Sequence, residues 1–415
     1  MKNIIPIFGM LSLDMFFIII TMFGLEYKGA EESSIYIIYC IIVGILNILL
    51  IPYYFIIERK YMKMTKILFL LLPCIPVICF MFNIDNEGIN SLKLDFFKYF
   101  ILWGVPAIYA AVYVNAKDLF RNMVKWFEVV MILATISIFI SAIINFSMNI
   151  KFQSLGGATY QTASYVSAFA YGINLYFIFL GKDQERFSFT KTIIYYVLNK
   201  VFLVVQLLGI AITGGRGGAV LALIYTIYIS INVIREKKIK NVTKWTIYIL
   251  VLFIALLIAQ SLFLKNNLII NSINRILSYV SKDGIVWKET SGRDIIFGEA
   301  IDLIKDKPIF GYGLYGFLDV YPQYPHNIFL EFMLNGGVIY TIIQLIILGI
   351  IFNKYRKISN LNKNNKFFII LLLYPITLLM FSGSYMRNSA FWFVITLILT
   401  CDYKKDIEVK LDVGK

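Results

Sequence analysis

The chain holds one histidine, His326, in the stretch YPQYPHNIFLEF at 321–332. An imidazole gives or takes a proton near neutral pH, so one placed histidine can act as a general base. Pro325 holds the residue before it extended, and the apolar run after His326 reads as a helix. Helix N-termini favour anions and disfavour imidazolium, which keeps the ring neutral and ready to accept a proton. The plainer alternative is a histidine that only hydrogen-bonds the helix start or the lipid headgroups. Tyr324 and Asn327 flank it and join the substrate-binding candidates.

Three arginines could complete a site for an anion. Arg216 lies in ITGGRGGAV with four glycines around it, a sequence that lets backbone N–H groups and a guanidinium approach one ligand. Arg293 opens a helical pattern, and Arg387 sits in SGSYMRNSAFWF next to an apolar run. Arginine suits phosphate because its planar fork stays charged and binds two oxygens at once. The competing role for Arg216 and for Arg387 is an interfacial anchor that reaches up to lipid phosphate. The four cysteines, Cys40, Cys74, Cys79 and Cys401, lie in or beside apolar runs without metal-ligand spacing. No metal site, cofactor or disulfide framework is expected.

These residues must be positioned by membrane spans. The chain is 59% hydrophobic and 15% charged, with a mean hydropathy of +0.76. A soluble fold could not hide that much apolar surface. The fold class expected is all-α, a polytopic transmembrane helical protein, since the runs are continuously apolar and not alternating. Twelve spans are expected, at roughly 4–23, 35–57, 67–83, 96–114, 126–146, 161–180, 193–213, 218–234, 245–264, 330–352, 367–383 and 388–402. The first of these reads as a span and not as a cleaved signal peptide. The expectation is one integral membrane domain over 1–415, with no soluble domain and no clear internal repeat.

Charge orients the spans. The segments on one side carry 25 Lys and Arg; the other side carries 12, seven of them in the 265–326 loop. Basic short loops stay in the cytosol, so both termini are expected there. The formal charge of +14 is therefore mostly topological, and nucleic acid is not expected as a partner. Asp14 and Lys200 fall inside spans. Lys200 can snorkel to the cytosolic side.

The outward loop 265–326 is long and apolar enough to be ordered. Within SGRDIIFGEAIDLIKDKPIFGYG, Ser291 and Asp294 resemble a capping box, and Asp294, Gly298, Asp302 and Lys305 fall on one helical face. Ile296, Ala300, Leu303, Phe297, Ile301 and Ile304 form an apolar face beside it. The pattern is an amphipathic helix that stops before Pro308. GYGLYG at 311–316 matches a dinucleotide fingerprint only in spelling, because neither a strand nor a helix frames it. It reads as a turn that brings the backbone close to a ligand or a helix.

With these residues in view, the chain resembles the O-antigen ligase and polymerase superfamily of bacterial envelope glycosyltransferases. The resemblance rests on TGGRGG, on SGRDIIFGEAIDLIKDKPIFGYG and on YPHNIFLEFMLNGG, over about residues 205–350. It implies a multi-pass protein of the bacterial plasma membrane with an extracytoplasmic active site, acting on a polyprenyl-diphosphate-linked glycan without a metal. It implies that Arg216 and Arg293 hold the diphosphate and that His326 activates the acceptor hydroxyl. Arg387 is added from its position. The expected partners are the lipid-linked glycan and membrane lipids, with a chain-length regulator and a flippase as further ones. Two activities share this chemistry. A polymerase joins lipid-linked repeat units of an O-antigen or capsular polysaccharide; a ligase moves the finished glycan to lipid A core or another acceptor. The polymerase is favoured, since the N-terminal half matches only in hydropathy. A flippase is a further alternative, though transporters usually carry matched halves, which this chain lacks.

Overall fold

The computed structural model describes residues 2–25, 33–82, 91–117, 119–147, 154–181, 186–235, 280–281, 284–285, 293–361 and 366–401. The protein is a helical membrane protein. Its described strands are two short pieces, Val280–Ser281 and Gly284–Ile285, paired antiparallel. The expected ninth span, Ser291 of the expected capping box and most of 265–292 lie outside the described residues.

The helices, in chain order, are α1 (Ile5–Met22), α2 (Ser34–Pro52), α3 (Met64–Leu70), α4 (Cys74–Met81), α5 (Ser91–Tyr99), α6 (Val105–Lys117), α7 (Phe120–Ser147), α8 (Tyr160–Phe179), α9 (Ile193–Thr213), α10 (Arg216–Arg235), α11 (Arg293–Asp306), α12 (Ile328–Leu361), α13 (Lys366–Phe381) and α14 (Ser389–Thr400). A π turn, Tyr53–Ile57, extends α2, and another, Phe100–Gly104, joins α5 to α6. Among the described residues, eight helical stretches are long and apolar enough to cross a membrane. They coincide with eight of the twelve expected spans. Helices α13 and α14 are shorter; the 12 residues of α14 reach about 18 Å, against a hydrocarbon core of about 30 Å. Helix α8 has the length but is richer in Ser, Thr, Asn and Tyr, and it is almost wholly buried.

Side-chain oxygens start several helices. Thr159 Oγ1 accepts from Thr162 N–H, Thr192 Oγ1 from Tyr195 N–H, and Asn388 Oδ1 from Phe391 N–H. Each satisfies an N–H that the helix leaves open.

The chain divides into two compact units. One comprises Met1–Ser12, Ile38–Phe120 and Trp287–Lys415; the other comprises Leu13–Ile37 and Arg121–Val286. The boundary passes through α1 where Ser12 leaves helical geometry. In the second unit α8 packs against both α9 and α10. Buried side-chain hydrogen bonds link α8 to α9 and α9 to α7: Asn174 Nδ2 donates to Asn199 O at 2.9 Å and to Gln206 Oε1 at 3.0 Å, and Gln206 Nε2 donates to Thr135 Oγ1 at 2.7 Å. In the first unit α6 packs against α14, and Asn115 Nδ2 donates to Leu397 O and Thr400 Oγ1, both at 2.6 Å.

Candidate functional site

His326 is held between Pro325 and the start of α12. Asn327 forms the helix cap: its Oδ1 accepts from Phe329 N–H at 3.0 Å and Leu330 N–H at 3.3 Å. His326 itself adopts φ 51°, a left-handed conformation unusual for a residue with a side chain. Such backbone strain costs about 1–3 kcal/mol and tends to gather at functional sites. The ring is half-buried, its Nδ1 has no hydrogen-bond partner among the described residues, and it leans on the Tyr324 ring at 4.2 Å. Burial, and then the positive charge of Arg293, hold the imidazole down to about 4. At neutral pH the ring is uncharged, as a base must be. Arg293 opens α11 and is half-buried.

Arg387 belongs to the same unit. Its guanidinium lies over three rings, 4.7 Å from Tyr99, 5.3 Å from Phe96 and 5.8 Å from Trp103. Phe96 and Tyr99 are three apart on α5 and so share a face. Phe96 also meets Tyr324 at 5.5 Å and Tyr315 at 4.6 Å. One aromatic wall thus runs from Arg387 through Phe96 and Tyr324 to His326, and the charge of Arg293 acts on the same imidazole. Stacking on aromatic faces holds a guanidinium in place while it stays charged.

Behind the wall is a buried polar hub. Glu331 lies one turn into α12, fully buried. Its Oε1 accepts from Tyr315 Oη at 2.9 Å and from Ser384 Oγ, and its Oε2 accepts from Tyr385 N–H at 3.3 Å. Asn335 Oδ1 accepts from Tyr315 N–H at 2.8 Å, and Asn335 Nδ2 donates to Tyr385 Oη at 3.0 Å. The hub ties the turn before His326, the helix after it and the segment bearing Arg387. Tyr315, like His326, is left-handed, with φ 59°. A salt bridge adds a further tie: Lys93 Nζ of α5, 3% exposed, meets Asp319 Oδ2 at 2.8 Å. Sequence reading passed over Glu331 and Lys93. For Glu331 the signal was present, an ionisable residue within an apolar run; Lys93 shares SLKLDFFKY with Asp95 and Lys98 and carried no such signal.

Arg216 lies in the other unit, half-buried, as the first residue of α10. Its glycines have a local cause. Gly214 ends α9 in the left-handed conformation, φ 64°. A Cβ on Gly218 would stand 2.0 Å from Ser164 Oγ, and one on Gly217 1.9 Å from Tyr165 Oη. The glycines let α10 lie against α8, so close helix packing explains them without a ligand. Lys200 stands over the Tyr196 ring at 4.4 Å, on the same helix, and Asp14 is half-buried in α1.

Helix α11 exposes Asp294, Gly298, Asp302 and Lys305, and Lys305 Nζ meets Asp302 Oδ1 at 2.7 Å. Ala300 is buried, with Ile296, Leu303, Phe297 and Ile304 half-buried beside it, while Ile301 is exposed. No group of three or more His, Cys, Asp or Glu able to hold a metal ion occurs among the described residues.

The family model described as O-antigen ligase matches residues 201–345, which include Arg216, Arg293, Glu331 and His326. None of the curated proteins matches the chain.

Proposed function

We propose that this multi-pass membrane protein, which matches the O-antigen ligase family model over residues 201–345, polymerises polyprenyl-diphosphate-linked oligosaccharide repeat units at the outer face of the bacterial plasma membrane. The acceptor sugar's hydroxyl oxygen attacks the anomeric carbon of the donor. The bond from that carbon to the diphosphate oxygen breaks, and the polyprenyl diphosphate leaves. His326 takes the proton from the acceptor hydroxyl. Arg293 and Arg387, which share one unit with His326, stabilise the charge that gathers on the leaving group. Tyr324 and the amide nitrogen of Asn327, whose oxygen caps α12, flank the sugar.

The observation that carries this reading is the state of His326: a neutral imidazole with an unpaired buried nitrogen, strained into place, beside an arginine. A base of this kind contributes roughly 10²–10⁴-fold. Ligation to lipid A core or another acceptor uses the same chemistry, and the description of the matched family favours it as the second reading. The weakly recognisable N-terminal half favours the polymerase.

The test uses cells that make the glycan and carry His326→Ala. A polymerase variant leaves single-repeat glycan on the final acceptor. A ligase variant accumulates full-length polymer on the lipid carrier. Unaltered glycan output contradicts both readings.

A further inference from the structure

Helix α12 is broken at Gly336 and Gly337, where the backbone leaves helical geometry. The segment Pro308–Tyr312 fills the break. Val338 N–H donates to Pro308 O at 2.9 Å, Ile339 N–H to Ile309 O at 3.4 Å, and Tyr312 N–H to Leu334 O at 2.8 Å. A broken helix frees backbone groups that hydrocarbon cannot satisfy, and this segment takes them up. The fit leaves no room for side chains at the contact. A Cβ on Gly337 would stand 2.2 Å from Ile309 O, and one on Gly311 2.6 Å from Leu334 O.

With its backbone bound to α12, the segment leaves its own side chains outside. Phe310 is 75% exposed and Ile309 55%. The exposure of α12 changes at the same level. Before the break the helix is mostly buried, through Ile328, Glu331, Phe332, Leu334 and Asn335. After it, Val338, Ile339, Ile342, Ile343, Ile346 and Ile350 are exposed. The stretch 338–352 is 15 residues, about 22 Å of helix, and Lys354, Arg356 and Lys357 follow it. An apolar surface of that height ending in basic residues covers most of a hydrocarbon layer of about 30 Å, with the break in its outer part. Ile309 and Phe310 continue that surface at the edge. Lys305 and Lys307 are exposed immediately before them.

We propose that Ile309 and Phe310 are seated in the outer rim of the bilayer's acyl region, with Lys305 and Lys307 among the headgroups, so that a lipid surface is the partner of this turn. The anchor sets the height of the His326 segment. The half of α12 from Ile328 to Asn335, roughly 10 Å of helix, rises from the level of Ile309 and Phe310 toward the headgroups and the first sugars of a lipid-linked glycan. The inference stands on geometry and exposure and does not depend on the catalytic assignment.

The test is a depth measurement on the whole chain in lipid nanodiscs. Phe310→Cys and, separately, Glu299→Cys are spin-labelled in a Cys40→Ala, Cys74→Ser, Cys79→Ser, Cys401→Ser background. The label at 310 should collide several-fold more with dissolved oxygen than with a water-soluble nickel chelate, and the label at 299 the reverse. Equal access of the chelate to both positions overturns the proposal. So does exclusion of both reagents from 310, the result a protein partner would give. The same depth can be read with the cysteines intact. The fluorescence that Phe310→Trp adds should be quenched by acyl chains brominated near their headgroup end. Added emission that such lipids leave unquenched overturns the proposal.

Discussion

The single imidazole is distinguished by its surroundings, not its scarcity. Burial and the Arg293 charge lower its pKa to about 4, so it remains unprotonated through the range where a free histidine titrates. The acid limb of the activity profile should therefore fall toward pH 4, not near 6.5, measured as kcat/KM on a defined lipid-linked repeat unit. Stability has the same origin. Between those two values the unfolded chain binds the proton and the folded chain does not, so His326 erodes stability as pH falls through that window. Glu331 is a separate case. Glu331→Ala takes the shared acceptor from the Tyr315 and Ser384 hydroxyls, which lie 2.7 Å apart and can then serve only one another, so one buried donor is left unpaired at about 1–3 kcal/mol. The variant should show a lowered Tm and lost activity together. Glu331→Gln, which keeps the shape and one acceptor oxygen, should recover most of the Tm.

At the scale of elements, glycines decide which helices can meet. Gly337 combines φ 63° with a carbonyl where its Cβ would be, so Gly337→Ala should cost well over ~1 kcal/mol, read as a drop in Tm. Gly218→Ala should cost about 1–3 kcal/mol by forcing α10 away from Ser164 of α8. The helices themselves were largely legible. Runs such as 193–213 have only one length and one solvent that suit them, and Ile193–Thr213 is where the helix stands. The amphipathic face of 293–306 and its stop before Pro308 were legible for the same kind of local reason. The break in α12 was not, because it depends on a loop some thirty residues earlier in the chain that supplies the missing hydrogen bonds. Around Arg216 the sequence showed a flexible stretch, and the neighbouring α8 shows what fills the space beside Gly217 and Gly218.

For the whole molecule, charge asymmetry and helix boundaries agree on a multi-pass membrane protein, with eight candidate spans among the described residues. The site's members come from distant stretches: Phe96 from α5, His326 and Glu331 around the start of α12, Arg387 before α14. No spacing rule in sequence joins position 96 to position 387; aromatic packing does. The orientation inferred from Lys and Arg makes its own prediction. A phosphatase fused after residue 244 should be inactive in the cytosol, and one fused after residue 320 should be active outside.

The most direct test of the central claim is release of polyprenyl diphosphate by the purified protein in nanodiscs, supplied with one defined lipid-linked repeat unit as donor and acceptor. Wild-type protein should release it while joining sugars, and His326→Ala should do so roughly 10²–10⁴-fold more slowly at unchanged protein stability. Release by His326→Ala at the wild-type rate would contradict the account.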